Sequence, residues 1–121
     1  MATETVPWPT EIRLKQDKRT LVVSYDNKQA VEFTAEFLRV NSPSAEVQGH
    51  APHQRKTVAG KRQVQIIGVE PVGNYAVKLV FDDLHNTGIF TWSYFDELNR
   101  DRSKLWERYL KELEAKGLSR D

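Results

Sequence analysis

Hydrophobic and polar positions alternate through the first third of the chain. Ile12 and Leu14, set between polar neighbours, mark a short strand from Glu11 to Lys15. Asp17, Lys18 and Arg19 make a polar turn, after which Leu21, Val22, Val23 and Tyr25 supply the β-branched and aromatic side chains of a second strand. Asp26 and Asn27 break that strand, and Val31 and Phe33 resume the alternation, so an antiparallel meander of local pairings is expected. Thr34 is placed to cap a helical turn carrying Phe37 and Leu38. The alternation returns at Val64, Ile66 and Ile67, ends near Glu70-Pro71, and is cleanest at Tyr75, Val77, Leu79 and Phe81. Asp82, Asp83, Asn86 and Gly88 then read as a turn, with Ile89, Phe90 and Trp92 returning along the sheet, and Gly73 is expected to take a positive φ in the turn before Tyr75.

The period changes from 2 to 3.6 in the C-terminal third. A short helix starting near Ser93 carries Tyr94, Phe95 and Leu98. The polar run from Asn99 to Ser103 separates it from a longer helix with Leu105, Trp106, Tyr109, Leu110 and Leu113 on one stripe, which Gly117 stops. Strands first and helices last predict an α+β domain: an antiparallel-rich sheet of about five to six short strands with two C-terminal helices packed on it. Between these regions, residues 41–62 lose all periodicity and contain Pro43, Gly49, Pro52 and Gly60, which predicts a long loop. Residues 1–9 and 118–121 lie outside the pattern and are expected to be flexible.

A chain of 121 residues is the size of one domain, so residues 1–121 are read as a single unit. No apolar run approaches the roughly 20 residues of a membrane-spanning helix, and no secretory leader is recognisable, so a cytoplasmic protein without membrane contact is expected. The absence of cysteine excludes disulfides, thiolate metal sites and cysteine nucleophiles. A net charge of +1 leaves no global field to attract nucleic acid. The sequence also lacks the nucleotide-binding glycine loops, the nucleophile elbow and the H-E-x-x-H zinc motif, so no catalytic constellation is present and an enzyme is not expected.

Two segments carry a resemblance. Leu38-Arg39-Val40-Asn41-Ser42-Pro43-Ser44-Ala45-Glu46-Val47, together with Phe81-Asp82-Asp83-Leu84-His85-Asn86-Thr87-Gly88-Ile89-Phe90-Thr91-Trp92, resembles the gamma-butyrobetaine hydroxylase-like N-terminal domain family, a domain of unknown function, over nearly the whole chain. In hydroxylases of that family the first segment reads Arg-Asp-Asn-Cys-Pro-Cys-x-x-Cys, and a later histidine completes a zinc site. The resemblance places those cysteines on Ser42, Ser44 and Val47 and the histidine on His85. A structural zinc site takes most of its binding energy from thiolates, and a hydroxyl stays protonated near neutral pH while valine has no donor. No zinc is therefore expected at these positions. Ser42 and Ser44 are expected to make turn hydrogen bonds around Pro43 instead, with His85 a turn histidine beside Asp83 and Asn86.

His50 and His53 offer a second metal hypothesis. Their spacing would bring two imidazoles to one iron or zinc ion, with His85 or Glu46 as a third ligand, although Pro52 opposes the helical turn this needs. Arg55, Lys56, Lys61 and Arg62 lie in a stretch without acidic residues and suggest an anion or partner contact, but without the interleaved aromatics of a nucleic-acid platform. Trp92, Tyr94, Phe95, Trp106 and Tyr109 are read as core rather than as an aromatic cage. The resemblance implies a stand-alone copy of a domain fused elsewhere to oxygenases and to iron–sulfur carrier ATPases. It therefore implies a non-catalytic accessory module that binds a protein partner, in iron or iron–sulfur handling or beside an oxygenase, with no cofactor of its own. Weak iron or zinc binding through His50, His53 and His85, or a role in oligomerisation, are the alternatives.

Overall fold

In the computed structural model the chain is described over residues 9–26, 29–49 and 56–121. Six strands and four helices follow in the order β1 (Pro9–Leu14), β2 (Thr20–Tyr25), β3 (Ala30–Thr34), α1 (Ala35–Val40), α2 (Ala45–Gln48), β4 (Ile66–Val72), β5 (Ala76–Phe81), β6 (Ile89–Thr91), α3 (Trp92–Arg100) and α4 (Arg102–Ala115). The strands divide into two separate antiparallel sheets, β1-β2-β3 and β4-β5-β6, rather than one continuous sheet. The α+β class and the strand number agree with the hydrophobic pattern. The division arises because each sheet is a meander closed by local turns, and the described residues between β3 and β4 carry the helices α1 and α2 and add no strand.

Register follows the alternation. Leu21 and Val23 pair with Phe33 and Val31, and Leu79 pairs with Val69, so one face of each sheet turns its large side chains inward. Leu21, Val23 and Phe33 from the first sheet, and Ile66, Leu79, Phe81 and Phe90 from the second, are buried in one core with Leu38 of α1 and Phe95 and Leu98 of α3. Phe95 joins the sheets, its ring centroid lying 5.5 Å from that of Phe33 and 5.7 Å from that of Phe90. A smaller cluster of Val40, Tyr109 and Leu113, flanked by Val58, Ala59 and Trp106, fastens α4 to α1. The aromatic residues of the two C-terminal helices thus pack against the core clusters.

Two segments depart from expectation. The 41–62 stretch contains the four-residue α2, capped by the Ser44 hydroxyl, with Val47 buried beneath it and Val58 and Ala59 packed against the second cluster. Isolated apolar residues without periodicity do this work, which is why the pattern shows nothing. The last residues are also tied down. Gly60 and Arg62 donate backbone hydrogen bonds to Ser119 and Arg120, and the Arg120 guanidinium grips the buried carboxylate of Glu36. Residues 1–8, the remainder of the N-terminal stretch, lie outside the described residues.

Candidate functional site

Two turns meet at the end of the second sheet: the α1–α2 connection with α2, and the turn from Asp82 to Gly88 between β5 and β6. Thr34 caps α1 by accepting from the Phe37 N–H at 3.1 Å. Ser44 caps α2 by accepting from Glu46 N–H at 3.0 Å. The Ser42–Ser44 segment is thereby presented to the facing turn. The Ser42 Oγ lies 2.8 Å from His85 Nε2, and the Ser44 Oγ lies 2.8 Å from Thr87 Oγ1. Gln48 closes the loop by donating from Nε2 to the Ser42 carbonyl at 2.9 Å.

The other side of the His85 ring faces Glu46, with Nδ1 3.2 Å from Oε2. A carboxylate only accepts, so Nδ1 carries the proton. Burial, followed by the nearby Arg39 charge, holds the His85 pKa below its usual 6.5 against the opposing pull of Glu46 and Asp83. The ring is therefore neutral at pH 7, Nε2 is an acceptor, and the Ser42 hydroxyl donates to it. Ser42 Oγ in turn accepts from Ser44 N–H at 3.4 Å.

Serine, histidine and carboxylate in a row is the arrangement that activates a serine nucleophile. Here it cannot meet a substrate. Ser42 is fully buried at 0% exposure, and a methyl group placed on Gly88 would collide with its Oγ, so the hydroxyl is pressed against backbone. The chain acts as a latch between two turns.

The zinc implied by the resemblance does not suit this donor set. Both hydroxyls are engaged in hydrogen bonds, Nε2 of the single imidazole is occupied by Ser42, and Val47 is a buried aliphatic side chain at the fourth position. Ser42 and His85 are brought into direct contact and Ser44 lies beside them through Thr87. Among the described residues no group of three or more histidine, cysteine, aspartate or glutamate side chains is arranged to hold a metal ion. His50, His53 and Arg55 lie outside the described residues.

A charged cluster braces the latch from outside. Asp83 Oδ2 receives Arg39 Nε at 2.8 Å and Lys61 Nζ at 2.7 Å, while its Oδ1 accepts from the His85 N–H at 3.2 Å. Burial alone would raise the Asp83 pKa, but the hydrogen bonds from Lys61, Arg39 and the His85 backbone outweigh it and hold the carboxyl down at about 2. Arg39 Nη1 is buried without a hydrogen-bond partner among the described residues. Of the basic run, Lys61 is thus spent on Asp83 and Arg62 pairs with Asp121, while Lys56 is exposed. The pairing of Arg39 and Lys61 with Asp83 gave no signal in the sequence, since it spans 44 residues on one side and no periodicity on the other.

The turn also holds an unusual residue. Leu84 is 84% exposed and its backbone adopts φ 72°, a left-handed conformation that bulky side chains rarely take. It is fixed there by its own N–H donating to Phe81 O at 3.1 Å and by Phe81 N–H donating to His85 O at 2.9 Å.

The chain has clear relatives of known structure. Residues 12–96 match the family model described as gamma-butyrobetaine hydroxylase-like, N-terminal. Two proteins with solution NMR structures are 47% and 44% identical, with TM-scores of 0.79 and 0.81; the alignments cover 95% and 99% of this chain and 90% and 89% of theirs. A crystal structure of a protein of unknown function from Acidithiobacillus ferrooxidans, assigned to the DUF971 family, is 38% identical with a TM-score of 0.64, over 79% of this chain and 97% of that one. No curated protein matches the chain. With the family model spanning well over half the residues and two folds of this likeness, the chain belongs to the gamma-butyrobetaine hydroxylase-like N-terminal domain family.

Proposed function

We propose that the domain is a non-catalytic docking module whose contact surface is the β5–β6 turn, with Leu84 as the side chain that enters a protein partner. The observation carrying this is the energetic oddity of Leu84. A leucine in the left-handed region costs about 1–2 kcal/mol, and an apolar side chain at 84% exposure gains nothing from the free protein in return. The Ser42–His85–Glu46 latch and the Asp83 cluster supply the rigidity that such a knob needs, because a pre-ordered contact loses less entropy on binding. The family resemblance names iron or iron–sulfur proteins and oxygenases as the partner class to look for first.

Site-specific photo-crosslinking tests the proposal. A photoreactive residue replacing Leu84 is expected to give a discrete covalent adduct in cells, and the same residue at exposed Lys111 on α4 is not. Equal labelling from both positions, or none from either, would refute it.

A second reading rests on the 3.2 Å approach of Glu46 to His85 Nδ1: an ion that displaces the Nδ1 proton would find that nitrogen and the Glu46 carboxylate side by side, shortly before His50 and His53 in the sequence. On this reading the domain binds a labile Fe²⁺ or Zn²⁺ ion. Titration with either ion should then move the ring resonances of all three histidines together, and an E46Q variant should weaken the response; shifts confined to His50 and His53 would eliminate His85 from the site.

A further inference from the structure

A concave site lies away from the latch and shares no residue with it. Between α1, the start of α4 and the C-terminal tail is a cleft of about 310 Å³ whose walls include Phe37 and Trp106 and whose charged groups are Arg102, Arg120 and Glu36. That volume is at the low end of small-molecule sites. The charges are unequally committed. Glu36, only 7% exposed at its side chain, takes both arms of Arg120 at 2.8 and 2.6 Å, and the Arg120 guanidinium also lies 5.0 Å from the Trp106 ring centroid. That pair neutralises itself.

Arg102 remains. Its guanidinium is stacked 4.7 Å from the Phe33 ring centroid and 5.6 Å from that of Phe37, and its hydrogen bond is a 3.4 Å contact to the neutral Asn99 Oδ1. No carboxylate pairs with it among the described residues. Burial lowers its pKa, the mark of a cation partly stripped of water without a counter-ion. Its position over two packed rings, with one arm on Asn99, restricts the guanidinium, so its N–H groups form a pre-ordered fork rather than a mobile charge.

We propose that this cleft binds a small organic monocarboxylate with a flat apolar body, its carboxylate on the Arg102 fork and its body against Phe37 and Trp106. The planar two-oxygen geometry of a carboxylate matches the fork. The local balance of one uncompensated cation selects a single negative charge, and the Glu36 carboxylate disfavours a phosphate dianion. The Thr34 hydroxyl accepts from Phe37 N–H, so its own proton is free to donate to a ligand in the cleft that it also lines. This site is independent of the docking turn.

The test follows the Trp106 indole N–H in nitrogen-resolved NMR spectra of the full chain while sodium benzoate is added at constant ionic strength. Saturable shifts are expected at millimolar benzoate, with inorganic phosphate and chloride producing none. R102M, which keeps the apolar stem on the two phenylalanine rings, should abolish the response, and R102K, which keeps charge but loses the fork, should weaken it about tenfold. An acetylated dipeptide ending in a free phenylalanine carboxylate distinguishes the source: tighter binding than benzoate identifies a peptide C-terminus, and weaker binding a free metabolite. Linear, unsaturable shifts, a phosphate response equal to that of benzoate, or unchanged binding in R102M would overturn the proposal.

Discussion

At the scale of single residues, the latch depends on the absence of a side chain as much as on the side chains present. Gly88 has no positive φ to explain it, yet a Cβ there would strike Ser42 Oγ and crowd Phe90. G88A should therefore destabilise the domain by about 1–3 kcal/mol, read from urea unfolding, by overpacking rather than by backbone strain. S42A removes the colliding oxygen along with the His85 hydrogen bond, so the double variant should lose less than the two single losses combined. Strict additivity would disprove the contact. Leu84 makes the opposite case: L84G relieves the left-handed strain but adds chain entropy to the unfolded state, and the balance should leave stability unchanged or raised by up to about 1 kcal/mol. A clear loss of stability would show that the leucine packs in the free protein and is no docking knob. Ser42, Ser44 and His85 were legible only through the family resemblance, because hydroxyls around a proline otherwise signal nothing beyond a turn. Arg39, Lys61 and Asp83 were not legible as a cluster, since ion pairs between distant segments leave no trace in local pattern.

At the scale of elements, legibility tracked length and periodicity. The alternation of Tyr75 to Phe81 and the stripe from Leu105 to Leu113 each placed an element correctly, with β5 at Ala76–Phe81 and α4 at Arg102–Ala115. The helix α2 escaped because four residues with one buried valine have no period to detect. The C-terminal tail escaped because its anchor is a partner 84 positions away. That anchor carries a prediction of its own. Removing Arg120 strands Glu36 as a buried charge, so R120A should cost about 2–4 kcal/mol in chemical denaturation, whereas the E36Q/R120M pair, which leaves no bare charge, should cost distinctly less. Equal losses would mean that the tail is held by its backbone hydrogen bonds to Gly60 and Arg62 rather than by the ion pair.

At the scale of the whole molecule, the two perturbed groups of the latch give its stability a pH dependence of known sign. Both His85 and Asp83 have folded pKa values below their unfolded ones, so in each case the unfolded chain binds more protons and stability rises with pH. The two contributions begin to fade at different pH. His85 contributes stability that is complete above its unfolded value of 6.5 and is lost as pH falls through its lower folded value; Asp83 contributes above 3.8 and loses its share as pH falls towards about 2. With the Asp83 side chain only 18% exposed, its part is about 1–2 kcal/mol after allowing for solvent screening. Unfolding free energy should accordingly be flat around neutrality, decline as pH falls below 6.5, and lose the Asp83 share as well below pH 4. Replacing His85 by glutamine removes the upper step and leaves the lower one, while His50 and His53 are present in both proteins and cancel from the comparison. A variant that retained the upper step would assign it to those two histidines and would release the latch from any part in the acid response, since a neutral ring between Ser42 and Glu46 is the only state in which all three groups are satisfied at once.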